Sequence, residues 1–472
     1  MRLFGQYAFE VSGYGTALAG SITANGSGQI TGGVEDIAAP AGSASDLSIT
    51  GTYTVGSDNR GTLIYTDSNG NTFTFAIALG DVSTGVAQQG QMIEFDSNPY
   101  EMTGQLALQS PATFSTSALF GAYAFDLPGW DLSTPPVQPQ VVIGSFTAGA
   151  GSVTSGLFDE NDAGSVTAAT PFTGSIGSID SNGRGTFTIN TGSNTQTATL
   201  YVVSASEWFL ITGNSNTQEF VSAGEVMAQL AGPFGTTSLD GTTIFVDQSE
   251  TGMPSPHAVL GLATFPGNGS VSFSLDINDG GTVSQLTTTG TYSFTNAANG
   301  RFTLTPSGAN TVVGYMVAPN EAILTDATSG QNPDFGTLEQ QASGPFSNST
   351  VNGSFYLGTL PLMSPGAPPS SPGNPPPALN ITSGIAAFDG AGGLTSTVDV
   401  NSSGVPSSGL TGSDTYSIDA TGRITTTSGD LVGYIGSLNK LYLLNIAPGQ
   451  PDSPNPTIFI ICSTGGIGAP CN

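Results

Sequence analysis

The chain has 472 residues, of which 66 are Gly and 30 Pro, and only 8% are charged, against roughly 25% in an average globular protein. Six basic residues against thirty-four acidic ones give a formal net charge of −28. That balance repels phosphate backbones and anionic membrane surfaces, so it excludes nucleic-acid binding and a basic membrane-surface helix. A hydrophobic content of 37% can supply packed cores, and the length predicts three or four domains.

Residues 1–9 run directly into a strand pattern, with no basic segment followed by an apolar stretch. No run of eighteen apolar residues occurs, so no membrane span is expected. Lys is nearly absent, and polarity comes from Ser, Thr, Asn and Gly. This is the composition of an exported protein. The expectation is an extracellular or cell-surface location, with the signal segment upstream of this chain.

Internal repetition dominates the sequence. Thr50-Gly51-Thr52-Tyr53 precedes Arg60-Gly61-Thr62, and Thr173-Gly174-Ser175 precedes Arg184-Gly185-Thr186. Thr289-Gly290-Thr291-Tyr292 precedes Arg301-Phe302-Thr303, and Thr411-Gly412-Ser413 precedes Arg423-Ile424-Thr425. The period of about 120 residues is that of a domain rather than a solenoid coil. Each copy opens on a glycine and an aromatic strand, at Gly5, Gly121, Gly241 and Gly353; three close alike, at Gln109, Gln229 and Gln341. Four units are therefore expected, at 1–112, 113–231, 232–344 and 345–472, the fourth divergent and carrying a Pro-rich loop at 361–377.

Within a unit the apolar pattern has period two. Tyr292 and Phe294 share one face, Thr291 and Ser293 the other, and turn signals such as Asn25-Gly26 and Asn299-Gly300 recur at short intervals. No amphipathic helical stretch stands out. The pattern predicts an all-β fold of four tandem antiparallel meander domains, each a small barrel of about eight strands. A β-sandwich is the alternative, and a single propeller fits the period poorly.

Four of the six basic residues occupy one equivalent position per unit. An acid precedes each at a separation of 24 or 25: Asp36 and Arg60, Asp159 and Arg184, Asp276 and Arg301, Asp399 and Arg423. Arg matches a carboxylate bidentately. The spacing predicts one structural bridge inside each unit, closing a barrel end, with anion binding by the arginines as the functional alternative.

Asp159-Glu160-Asn161, Asp276-Ile277-Asn278 and Asp399-Val400-Asn401 resemble the start of a calcium loop, but Thr170 and Thr287 stand where two of them would need a bidentate Glu. Asx turns account for the same residues, so no metal or cofactor is expected. The sole histidine, His257, lies among prolines and reads as a solvated loop residue. Lys440 is the sole lysine. No nucleophile elbow or phosphate loop is present, and no enzyme is expected. Cys462 and Cys471 could close a C-terminal disulfide in an oxidising compartment.

The loop after each unit's first strand varies most: around Tyr14, then from Pro128 through Trp130 and Asp131, then 248–257, then 361–377. Variable loops on a repeated frame are candidate binding sites, and Trp130 could stack on a sugar. The Gly-x-Tyr-Ala-Phe openings, the Gly20 to Ala24 and Gly144 to Ala148 strands and the Thr-Gly-Thr-Tyr…Arg-Gly-Thr cores resemble the uncharacterised tandem β-repeat proteins exported by soil bacteria. The resemblance implies a surface or extracellular location and brings no activity with it. The reading is a non-enzymatic surface, matrix or adhesion component whose surface or glycan partner is unidentified. Its rivals are a carbohydrate-binding protein using Trp130 and a small-ligand carrier using the barrel interiors.

Overall fold

A computed structural model describes residues 2–13, 15–40, 42–97, 101–133, 138–192, 194–212, 220–249, 256–360, 380–447 and 456–465. The chain forms four closed eight-stranded antiparallel barrels, spanning 4–108, 121–228, 240–340 and 352–463. In the first, the strands are Phe4–Gly13, Thr16–Asn25, Gln29–Ala38, Ala44–Val55, Arg60–Asp67, Thr72–Ser83, Val86–Glu94 and Thr103–Leu108. Each pairs with its sequence neighbour, and the eighth pairs back on the first, with Tyr7 opposite Leu108. Closure removes both sheet edges, the exposed feature of an open sheet.

Each barrel is filled. In the first, Tyr7, Phe9, Tyr65 and Phe75 are fully buried in the interior; in the second, Phe125, Phe146, Phe187 and Trp208 are. Tyr292 and Phe294 both point into the third, as the alternation predicts. The tyrosine that follows the Thr-Gly motif in the first, third and fourth units has a clear use in this packing. The hydroxyls of Tyr53, Tyr292 and Tyr416 donate to the carbonyls of Leu3, Leu239 and Val351 at 2.7–3.1 Å, pinning the segment that enters each barrel. Its glycine is required by a close approach: a Cβ on Gly51 would lie 2.1 Å from the carbonyl oxygen of Ile64.

These side chains occupy interior space that a small-ligand carrier would leave open. No helix among the described residues is long and apolar enough to cross a membrane.

The second strand of each barrel breaks the alternation. In Thr16–Asn25, Thr16 to Ser21 are all buried, so both faces of the strand are covered. One face meets the barrel interior and the other meets the next barrel. Ala17, Ala19, Ala38 and Ala107 of the first barrel pack on Tyr201, Val203, Phe209 and Ile211 of the second. Val141 and Ile143 of the second meet Val313 and Ile323 of the third. Leu260 of the third meets Val432 and Leu444 of the fourth. Ile381 of the fourth meets Ala76 and Ile93 of the first. The four barrels therefore close into a ring. By contrast, the fourth strands, such as Thr282–Asn296, are largely exposed and form its outer perimeter.

Candidate functional site

The recurrent Asp and Arg meet between barrels, not within them, and this corrects the pairing expected from sequence. Arg184 binds Asp36 through Nε and Nη2, both at 2.8 Å. Arg301 binds Asp159 at 2.7 and 2.6 Å, and Arg423 binds Asp276 at 2.8 and 2.7 Å. Arg60 closes the ring on Asp399 through Nη1 at 2.8 Å. The physical reason lies in the turn before each arginine. Asn59, Gly183, Gly300 and Gly422 adopt φ between +69° and +87°, a left-handed kink that places the arginine at the barrel's edge, beside the neighbouring barrel. The carboxylate sits on the preceding barrel's third strand.

A tyrosine completes three of these locks. Tyr201, Tyr315 and Tyr434 lie opposite their arginines on the adjacent strand and donate to the same carboxylates at 2.5–2.6 Å. Burial opposes the charge on Asp276, but Arg423, Tyr434 and Gln285 outweigh it and hold the carboxyl below its ordinary range. At the fourth seam Ala78 stands opposite Arg60, so the tyrosine is missing there. Arg60 also divides itself between Asp399 and Asp58.

The Asp-x-Asn runs that resemble calcium loops belong to the same seams. Asn161 Nδ2 donates to the carbonyl of Asp326 at 3.0 Å, Asn278 to that of Asn445 at 2.8 Å, and Asn401 to that of Glu94 at 3.0 Å. Their Asp oxygens are taken by arginine. The closing glutamines are a further hook that the sequence showed only as a repeated letter. Gln109, Gln229 and Gln341 each donate to two carbonyls of the next barrel.

Trp130 is not a loop residue. It lies in the strand Gly121–Asp131, is 4% exposed, and lines a crevice with Ser12, Thr16, Pro128 and Val221 at the seam between the first two barrels. Asp131 is likewise buried and accepts from the Ser133 amide and hydroxyl. The sugar-stacking expectation fails because the strand extends beyond the sequence-based loop boundary. Trp130→Ala is expected to cost about 3–5 kcal/mol, as large aromatic truncations in cores do; a urea-denaturation midpoint unchanged from the parent would contradict the burial. Tyr14 and the segment 361–377 lie outside the described residues. Cys462 is disulfide-bonded; its expected partner, Cys471, lies outside the described residues.

Charges missed by the sequence reading also meet across the seams. Lys440 Nζ of the fourth barrel lies 2.5 Å from Glu339 of the third, and Tyr442 donates to the same carboxylate at 2.6 Å. Gln105 of the first barrel donates to Glu225 of the second. Burial is the main influence pushing the Glu225 carboxyl up, while the Gln105 hydrogen bond and, more weakly, the field of Lys440 pull it back. Burial, then Glu225, pushes Glu10 up to about 8.

His257 is the other surprise. It sits at the start of strand His257–Pro266, with Nε2 3.3 Å from Asp334. One ligand atom each from Asp247, His257 and Asp334 lies within 4.8 Å of the others. Burial opposes the imidazolium, but the Asp334 hydrogen bond and the field of Asp334, Asp247 and Asp279 hold its pKa up to about 9. Burial, then Asp334, pushes the Asp247 carboxyl well above its ordinary range. A lone histidine in a proline-rich loop gave no signal of these long-range carboxylates.

No family model and no curated protein matches the chain. Among solved structures, a double mutant of the vaccine antigen transferrin binding protein B from Haemophilus parasuis Hp5 aligns over 98% of this chain and 95% of that one. The identity is 9% and the TM-score 0.17, a likeness too slight to bear on this chain.

Proposed function

We propose that the chain is a non-enzymatic, exported scaffold of the cell surface or extracellular matrix, which presents the loops of one rim to a partner. The observation that carries this reading is where the recurrent charges go. All four arginines and their aspartates are engaged in seams of a closed ring, and the barrel interiors are filled, so the repeated parts serve rigidity.

Difference is concentrated on one rim. The connection from first to second strand is two residues long after Gly13, six after Asp131, eight after Gln248 and twenty after Thr359. All four connections leave from the same end of their barrels. Variable loops on a rigid frame are the usual seat of recognition. The disulfide at Cys462 and the Lys-poor composition support an oxidising, exported setting, as does the resemblance to exported tandem β-repeat proteins.

The test is binding of the full chain to arrays of glycans and matrix proteins, with a variant whose residues 361–379 are replaced by a short Gly-Ser link. The expected result is a partner lost in the loop variant and retained in Trp130→Phe. Binding that survives replacement of all four rim connections would overturn the reading.

A further inference from the structure

We infer that the mouth of the third barrel is a divalent transition-metal site, built from Asp247, His257 and Asp334. This goes beyond the scaffold reading and does not depend on it. The three residues come from three separate places on the rim: the end of the first strand, the start of the second, and the turn before the eighth. The topology of a closed barrel brings them together.

The geometry suits a small cation. Tetrahedral zinc with ligand bonds near 2.1 Å has neighbouring ligand atoms roughly 3.4 Å apart, and His257 Nε2 and Asp334 Oδ2 are 3.3 Å apart. Asp247 supplies the third ligand within the same 4.8 Å cluster. It is half-buried and accepts no hydrogen bond among the described residues, whereas the nearby buried carboxylate of Asp326 is engaged by Thr328 and Asn310. His257 is 30% and Asp334 12% exposed in their side chains, which leaves solvent access for a fourth ligand. Two carboxylates and one imidazole favour zinc, manganese or a similar metal over calcium, which takes oxygen ligands.

The ligands are held from behind. Ser249 Oγ accepts from the His257 amide at 2.7 Å, and Thr325 Oγ1 donates to the Asp334 carbonyl at 2.8 Å. Such supporting bonds orient ligands before a metal arrives.

The repeat itself provides the control. Counting from the phased glycines and the paired strands, the positions of Asp247, His257 and Asp334 hold Val11, Thr16 and Met102 in the first barrel. They hold Leu127, Gln140 and Ser222 in the second, and Thr359, Asn380 and Thr457 in the fourth. Val11, Met102 and Leu127 belong to apolar interiors. The fold thus closes a barrel mouth without any of the three, and among the four barrels only the third places ionisable ligand residues at these positions.

The experiment is equilibrium dialysis of the full chain against Zn2+ in the presence of excess Ca2+, with metal counted per chain, and Co2+ substitution read by visible absorption. One equivalent of zinc is expected, lost in His257→Ala and weakened at least tenfold in Asp247→Asn. His257→Gln, closer in shape, guards against misfolding and is expected to lose zinc while keeping the parent's circular dichroism. Absence of stoichiometric zinc in the parent, or an equivalent retained in both His257 variants, would overturn the assignment. So would displacement of the zinc by calcium.

Discussion

Arg301→Ala is expected to lower stability by about 3–5 kcal/mol, because it strands the Asp159 carboxylate in a buried seam. The side chains of that pair are only 10% and 2% exposed, and among the described residues Asp159 would keep the Tyr315 hydroxyl and the Ala169 amide as its donors. Arg301→Lys is not expected to rescue it, since an ammonium cannot reproduce the two parallel bonds. The corresponding change at the closing seam, Arg60→Ala, is expected to cost about 1–2 kcal/mol. There a single nitrogen meets Asp399, whose same oxygen also accepts from Ser408 and the Gly409 amide. Urea-denaturation midpoints of the two variants check the order. Equal losses, or a larger one for Arg60, would show that the locks do not differ as their geometry says.

The second large effect is with pH. Burial is the leading cause that pushes Glu35 up to about 8, Glu94 to about 9 and Glu101 to about 8. Glu10 is raised to about 8. In the unfolded chain these carboxyls titrate near 4.3. The folded state therefore holds more protons than the unfolded state across the interval between. The stability they contribute is fully present below about 4.3 and is lost as pH rises through 8–9, by up to about 1.4 kcal/mol per pH unit for each group. Asp276 works in the opposite direction: its folded pKa is depressed, so its contribution is present above about pH 4 and lost as pH falls through the folded value. The melting temperature is expected to peak near pH 5 and to fall steadily toward pH 9. Glu35→Gln should flatten part of that fall. A melting temperature that rises between pH 5 and 9 would contradict these environments.

The barrels were legible in the sequence because their cause is local. Alternation such as Tyr292 against Thr291, turn glycines and a strict landmark phase all act within a few residues. The seams were not, and the reason is the repetition itself. Asp159 stands 25 residues before Arg184, but its partner is Arg301, 142 residues later. In a periodic chain, a partner in the same unit and one in the next unit recur with equally constant spacing, so constancy cannot choose between them. Two signals were present. The second strands lack alternation, as in Ala17-Leu18-Ala19, which marks burial on both faces. The Asn two residues after each Asp recurs in three units, at Asn161, Asn278 and Asn401, and is Ala38 in the first; a hydrogen-bonding hook explains that recurrence better than an Asx turn does. The rim cluster was illegible for a different reason. His257 and Asp334 are 77 positions apart and nothing in the other units repeats them, so only the closed topology brings them together.

Four barrels form a ring closed by the seam between the fourth and the first. Small-angle X-ray scattering of the full chain tests it most directly. A compact body of 472 residues has a radius of gyration of about 23 Å, whereas four units of about 13 Å strung end to end exceed about 30 Å. The ring predicts the smaller value, and a radius above about 30 Å would contradict it.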